Sequence, residues 1–274
     1  LLEEHKKYST ILFKQKLYAK YHQLKTPAFA ADNYRNDFSC FVEHFPVVLS
    51  TTHSLRNCIG NDFMFDYLII DESSQVDLLS GGLALSCCKN AIIVGDTKQL
   101  PQIVDATIQA KIQGQVSDAA YDYFQHNILS SLLAVYPDAP RVILKEHYRC
   151  HPKIIGFCNQ KYYNGELIPF TQENEKDVPF ILYRTAAGNH MRQLTHGENQ
   201  GKFNQRELDI ILDEVLRNAN VVTRENDDIG FTTPYRNQAN RAQKTFANGL
   251  ECDTIHKYQG REKKLMIMST VLDN

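Results

Sequence analysis

The chain has 274 residues, 43% of them hydrophobic and 23% charged, with a formal net charge of −2. These are globular values that exclude a disordered or fibrous chain, and the near-neutral balance leaves any nucleic-acid binding to a local groove. No apolar run approaches the roughly 20 residues of a membrane span, and the seven cysteines lack C-x-x-C spacing, which argues against zinc sites and disulfide frameworks and for a reducing cytoplasmic or nuclear setting.

Residue 1 is Leu and no signal-peptide pattern comes after it, so the chain reads as an internal piece of a longer soluble protein. Residues 1–24 place Leu1, Tyr8, Ile11, Leu12, Tyr18, Tyr21 and Leu24 at near-helical spacing, which predicts an amphipathic stalk or docking helix over about 1–25. Residues 26–45 read as a loop with helical pieces. Pro46-Val-Val-Leu-Ser50-Thr51-Thr52 predicts a buried strand ending in small hydroxyls, and Tyr67-Leu-Ile-Ile predicts another that ends at Asp71. Next in the chain are a predicted helix over 75–86, a strand over 91–95 and a mixed helical stretch over 103–135.

Tyr136-Pro-Asp-Ala-Pro140 is the expected domain boundary, because two prolines in a turn context continue neither regular structure. Beyond it strands are predicted at 141–144, 178–183, 228–232, 250–253 and 264–271. Helices are predicted from Pro152, over 204–219 with Asn204 and Glu207 as a capping box, and over 235–247. Residues 171–178 read as a charged loop, and 186–203, with Gly188, Gly197 and Gly201, as a mobile one. The alternation of strand and helix predicts α/β architecture with two parallel-sheet domains, 26–138 and 139–274.

The chemistry gathers at strand ends. An apolar run closing on Asp71-Glu72 is how a buried parallel strand delivers carboxylates to its carboxyl edge, where one can hold Mg²⁺ and the next can activate water. Ala91-Ile-Ile-Val-Gly95-Asp96-Thr-Lys98-Gln99-Leu-Pro101 brings polar heads to the same edge, and Gln99 can both donate to a phosphate oxygen and accept from water. Lys98 reads as a solvated charge before it reads as a phosphate contact. No Gly-x-x-x-x-Gly-Lys-Ser/Thr cradle occurs in the 274 residues. His147, His151 and His256 have no metal spacing and read as structural.

Five stretches, in order, resemble the motifs of a superfamily 1 helicase core, of the subgroup that includes senataxin and the nonsense-mediated-decay helicase. Asp71-Glu-Ser-Ser-Gln75 is similar to motif II and Gly95-Asp-Thr-Lys-Gln-Leu-Pro101 to motif III. Leu144-Lys-Glu-His-Tyr-Arg149-Cys-His-Pro152, with Phe157-Cys-Asn159 and Tyr163-Asn-Gly-Glu-Leu167, is similar to motif IV. Ile229-Gly-Phe-Thr-Thr233-Pro-Tyr-Arg236-x-Gln238 and Thr254-Ile-His-Lys-Tyr-Gln259-Gly-Arg-Glu262-Lys263 are similar to the motif V region. Ser73 stands where the family usually has Ala, and Gln102 where it usually has a second Pro.

The resemblance implies two RecA-like domains, the first incomplete, with motifs I and VI outside the chain. It implies ATP in a cleft between the domains, Mg²⁺ on Asp71, and movement along single-stranded DNA or RNA. It assigns Asp71, Glu72, Gln99 and the arginine finger Arg149 to catalysis, and Gln75, Gly260 and Glu262 to the nucleotide. The strand track takes Ser50, Thr51, Thr52, Thr233, Pro234, Tyr235 and Arg236. Alternatives stay open: an ion pair of Arg149 with Glu146 or a nearby acid, a structural salt bridge at Arg261, and a core position for Tyr235. For the whole chain, the competing readings are a non-hydrolysing helicase-like scaffold and a metal-dependent nuclease or phosphatase. Without its phosphate cradle, the chain alone is expected to hydrolyse little ATP.

Overall fold

The computed structural model describes residues 2–22, 29–60, 62–112, 116, 118–174, 178–197, 199–218, 228–246 and 250–272. Leu1 and Leu24 of the expected first helix lie outside the described residues. The chain divides into two units, Leu1–Ile143 and Leu144–Asn274.

The first unit begins with α1 (Leu2–Tyr21), whose last turn is tied down by Tyr21 Oη donating to His44 O at 3.0 Å. Of the expected stripe, Tyr8, Ile11, Leu12 and Tyr18 are exposed and Tyr21 is half-buried, so these residues join no buried core. The core lies further on. Phe38 in α2 (Phe38–His44), Leu55 in α3 (Thr52–Cys58) and Ile59 pack against Ile70, Ala84 and Cys87, with Phe63 and Phe65 edge-on to Phe38. Asp37 caps α2 by accepting from Cys40 N, and Thr51 caps α3 by accepting from Ser54 N.

Strands β1 (Phe65–Ile70) and β2 (Cys88–Ile93) pair in parallel, from Phe65 opposite Cys88 to Ile70 opposite Ile93. One face of this ribbon covers the core, while Tyr67, Ile69 and Ile92 on the other remain exposed. The expected helix over 75–86 is two pieces, a 3₁₀ turn Ser73–Gln75 and α4 (Leu78–Leu85). Asp77 breaks them by capping α4, accepting from Leu79 N, Ser80 N and the Ser80 hydroxyl. The expected helical stretch over 103–135 comprises α5 (Ala106–Ile112), a 3₁₀ turn Ala119–Tyr121 and α6 (Ile128–Val135).

Three expected strands do not form. Residues 46–51, 141–144 and 178–183 join no ladder, and Leu49, Val142, Leu144 and Phe180 are more than 75% exposed. An apolar run supplies side chains for a strand, but a strand also needs a partner for its backbone N–H and C=O groups. Among the described residues none pairs with these segments.

In the second unit, β3 (Glu146–His147) pairs in parallel with β4 (Ile168–Pro169), flanking α7 (Pro152–Tyr162). Pro152 opens α7 as expected, where its missing N–H costs nothing. The expected mobile loop is instead an antiparallel hairpin of β5 (Met191–Leu194) and β6 (Gly201–Asn204). Glycine suits its turn: Gly197 sits at φ +91° and Gly201 at φ +115°.

The main sheet is parallel, in the order β8 (Glu251–Thr254), β7 (Ile229–Thr233), β9 (Leu265–Met268). All of β7 is buried, as a central parallel strand should be. Phe231 and Ile267 pack with Leu208 and Ile211 from α8 (Gln205–Ile210) and its π-turn extension Ile211–Val215, and with Ala242 of α9 (Arg236–Thr245) and Phe246. Asn204 caps α8 as expected, accepting from Glu207 N, but Glu207 closes no capping box. Its carboxylate accepts from the Ser269 hydroxyl and Val271 N instead, tying α8 to the end of β9. Fully buried Gln238 completes the network, accepting from Asn204 N and donating to Asn204 O and Ser269 Oγ. This matched, buried set satisfies groups that would otherwise each cost about 1–3 kcal/mol.

Mixed helix and parallel strand place the chain in the α/β class with a RecA-like fold. Among the described residues, no helix is long and apolar enough to cross a membrane.

Candidate functional site

In the first unit the candidate residues leave the carboxyl edge of β1 and β2. The ladder continues past both strands through Val94 N donating to Ile70 O at 2.8 Å and Ser73 N donating to Val94 O at 3.0 Å. These bonds bring the Asp71–Gln75 turn beside the Gly95–Gln99 loop. Asp71 is exposed and its Oδ1 accepts from Glu72 N at 2.8 Å. Glu72 is left-handed, at φ +50° and ψ +39°, a conformation a non-glycine residue keeps only where its surroundings demand it. Gln75 Nε2 donates to Glu72 Oε2 at 3.4 Å. On the second loop, Asp96 accepts from Lys98 N at 2.8 Å and from Gln99 Nε2 at 3.4 Å, and Lys98 and Gln99 are both exposed.

Gly95 lets the two loops approach. A Cβ there would stand 2.3 Å from Ser73 Oγ, 3.1 Å from Ser73 N and 3.2 Å from Leu129. Alanine usually stabilises by narrowing the unfolded state, by about 0.4–1 kcal/mol, but a forced contact in a packed site costs about 1–3 kcal/mol. Gly95→Ala is therefore expected to lower stability in denaturant unfolding, and Ser73→Ala in the same chain to restore part of it. A Gly95→Ala chain as stable as the parent would show that the loops are not pressed together.

Sequence reasoning missed two features here. The hydroxyls of Ser73 and Ser74 are buried and meet no hydrogen-bond partner among the described residues. Gln102, which stands where the family usually has a second Pro, donates its backbone N–H to Ser74 O at 2.9 Å and its Nε2 to His126 O at 3.1 Å. It clamps the 3₁₀ turn behind Glu72. Its departure from the usual Pro was the available signal, since proline could make neither bond.

The hydroxyls at 50–52 sit at the head of α3 rather than at a strand end. Ser50 Oγ donates to Thr51 O at 3.1 Å, Thr51 is the cap, and Thr52 is the first helical residue.

In the second unit, Arg149 Nε pairs with Glu262, bringing together two candidate residues 113 positions apart (262 − 149). Of the acids the ion-pair alternative allowed, Glu146 accepts from Tyr148 Oη, and Glu262 is the one that Arg149 meets. His147 accepts from Cys150 N at 2.8 Å and His151 caps α7, so both serve the backbone. Burial and the neighbouring Arg149 charge push the His147 pKa down. Gly260 sits at φ +77° with open space around its Cα. Arg261 pairs with Glu251, which also holds Lys263 at 3.0 Å: a structural salt bridge, the open alternative for Arg261.

The Thr233–Arg236 edge is built on β7. Thr233 is fully buried and its Oγ1 accepts from Tyr235 N at 3.4 Å, while Pro234 is exposed and Tyr235 half-buried. Arg236, read from sequence as a phosphate grip, donates to Asp253 Oδ1 at 2.7 Å and Thr254 Oγ1 at 2.9 Å on β8. Burial alone would raise the Asp253 pKa. The Thr254 N–H and the Arg236 charge outweigh it and hold the carboxyl below the usual range, so the pair stays ionised at neutral pH.

The donor set suits a hard divalent cation that keeps waters and shares phosphate oxygens, because Asp71 offers an exposed carboxylate at a strand edge. Among the described residues no group of three or more His, Cys, Asp and Glu could hold a metal ion, so the two-metal nuclease reading gains no support there.

A family model described as "AAA domain" matches residues 124–274, and a second of the same description matches residues 4–107. The chain is 26% identical over 268 residues to the DNA polymerase alpha-associated DNA helicase A of Saccharomyces cerevisiae, covering 83% of this chain and 38% of that protein. It is 26% identical over 230 residues to helicase SEN1 of the same yeast, covering 76% of this chain and 10% of the relative. It is 26% identical over 229 residues to DNA-binding protein SMUBP-2 of Rattus norvegicus, covering 77% and 22%. The chain thus spans well under half the length of these relatives. With ordered motifs on an α/β frame and a family match across more than half its length, the chain belongs to the AAA-domain family, as a superfamily 1 helicase core of the senataxin subgroup.

Proposed function

We propose that the chain is the hydrolysis and coupling part of an ATP-dependent helicase or translocase that moves along single-stranded DNA or RNA, with domains at 26–138 and 139–274. The observation that carries this reading is the paired edge of β1 and β2, where Asp71-Glu72 and Gly95–Gln99 emerge side by side from parallel strands. Asp71 would hold Mg²⁺, which when bound neutralises developing phosphate charge. Glu72 takes the proton of the attacking water, held in place by its left-handed backbone and its bond from Gln75. Gln99 orients that water and reports nucleotide state through its loop. Gly260 and Glu262 contribute to the nucleotide from the second unit, and Arg149 stabilises the charge that develops there. The reading requires that both units serve one nucleotide.

The strand runs along Ser50–Thr52 and Thr233–Arg236, where the exposed hydroxyls of Ser50 and Thr51, backbone N–H groups and the half-buried Tyr235 ring grip phosphate and base, while fully buried Thr233 holds the turn. The seven free thiols suit a reducing cytoplasmic or nuclear setting. Because the 274 residues hold no Gly-Lys-Ser/Thr cradle, the chain alone turns over little ATP.

The deciding measurement is ATP hydrolysis by the full-length protein with and without single-stranded RNA and DNA. Turnover stimulated by either strand is expected. Strand binding without turnover would instead select the non-hydrolysing scaffold.

A further inference from the structure

We propose that the β5–β6 hairpin and the outer face of α9 form a further single-strand contact surface, extending the path beyond Thr233–Arg236; this rests on the strand-binding reading above. Arg236 is the cation that the motif places on that path, but it is spent on Asp253 and Thr254. Beside it lie two cations that meet aromatic rings, Lys202 and Arg241. Lys202 Nζ sits 5.7 Å from the Tyr235 ring centroid, and the Arg241 guanidinium lies 3.5 Å over the Phe203 ring.

The hairpin is held against α9 by Asn237, which donates Nδ2 to Gly201 O at 3.1 Å and accepts from Arg241 Nε at 3.1 Å. One residue thus fixes both the hairpin and the plane of the guanidinium. The ladder places Arg192 opposite Phe203, but its guanidinium donates to Asn189 O and Met191 O, each at 2.8 Å, so the patch rests on Lys202 and Arg241. The segment Arg236–Thr245 contains no acid. The nearest acids of α8 are directed elsewhere: Glu207 to Ser269 and Val271, and Asp209 to Gln205.

Cations seated on aromatic rings suit unstacked bases and their phosphates, since the ammonium meets phosphate oxygens while the planar guanidinium stacks against a base. An acidic peptide would use the charges but not the rings.

The test titrates salt against binding of labelled oligothymidylate and oligouridylate to the full chain. Lys202→Ala and Arg241→Gln are each expected to reduce the slope of log K against log salt by about 0.7, the value of one single-strand phosphate contact, and to weaken binding at low salt. Lys89→Ala, at the start of β2 and paired with Asp66, should leave both unchanged. Wild-type binding that both variants match in affinity and slope overturns the extension and leaves the Thr233–Arg236 path standing. A wild-type chain that binds neither oligonucleotide overturns both. Should Arg241→Gln unfold the chain, Lys202→Ala alone decides by the same slope.

Discussion

Alanine at Arg149 is expected to lower strand-stimulated ATP turnover of the full-length protein by about 10³–10⁵-fold, the effect of removing an arginine finger. The competing role is the ion pair that Arg149 makes with Glu262. Both partners are more than half exposed, at 59% and 56%, and such a pair contributes only about 0–1 kcal/mol to stability. The two roles therefore separate cleanly. A finger loses kcat with the unfolding midpoint nearly unchanged, and lysine does not rescue it because a point charge lacks the planar fork. A structural pair loses a little stability and no turnover. Unchanged turnover in Arg149→Ala would remove the assigned role. Glu262→Gln separates the pair from the other side, and if Glu262 holds Arg149 near the nucleotide, it should lower kcat without abolishing it.

Glu72→Gln is expected to lower the same turnover by about 10²–10⁴-fold, the range of a positioned general base, while nucleotide binding persists. The amide keeps the size of the side chain, and its oxygen can still accept from Gln75 Nε2, so the 3₁₀ turn should hold. The variant loses only the capacity to take a proton. Turnover measured beside nucleotide affinity distinguishes this from a binding defect. Full activity in the Gln variant would mean that the water is activated elsewhere.

The RecA-like frame was legible where signals are local. Pro152 at the first turn of α7, Asn204 capping α8 and the apolar run of β7 each act on their own neighbourhood, and each element forms where the sequence places it. The hairpin was not legible. Gly197 and Gly201 look like loop residues until Arg192 finds Phe203 across the ladder and Asn237 bonds Gly201 from a helix 36 positions away. The error runs the other way at 141–144 and 178–183, where apolar runs read as strands but find no partner among the described residues.

By itself the sequence determined which chemistry the chain can carry. Asp71-Glu72 and Gly95-Asp96 close apolar runs, and two runs that pair in parallel deliver their closing residues to one edge. Only the tertiary structure decided how the charges are spent. Arg236 goes to Asp253, Arg261 to Glu251 and Arg149 to Glu262, while Lys202 and Arg241 rest on rings. The physical reason is that an ion pair depends on distance in space. Arg149 and Glu262 attract one another only after a helix, a hairpin and a sheet have folded between them.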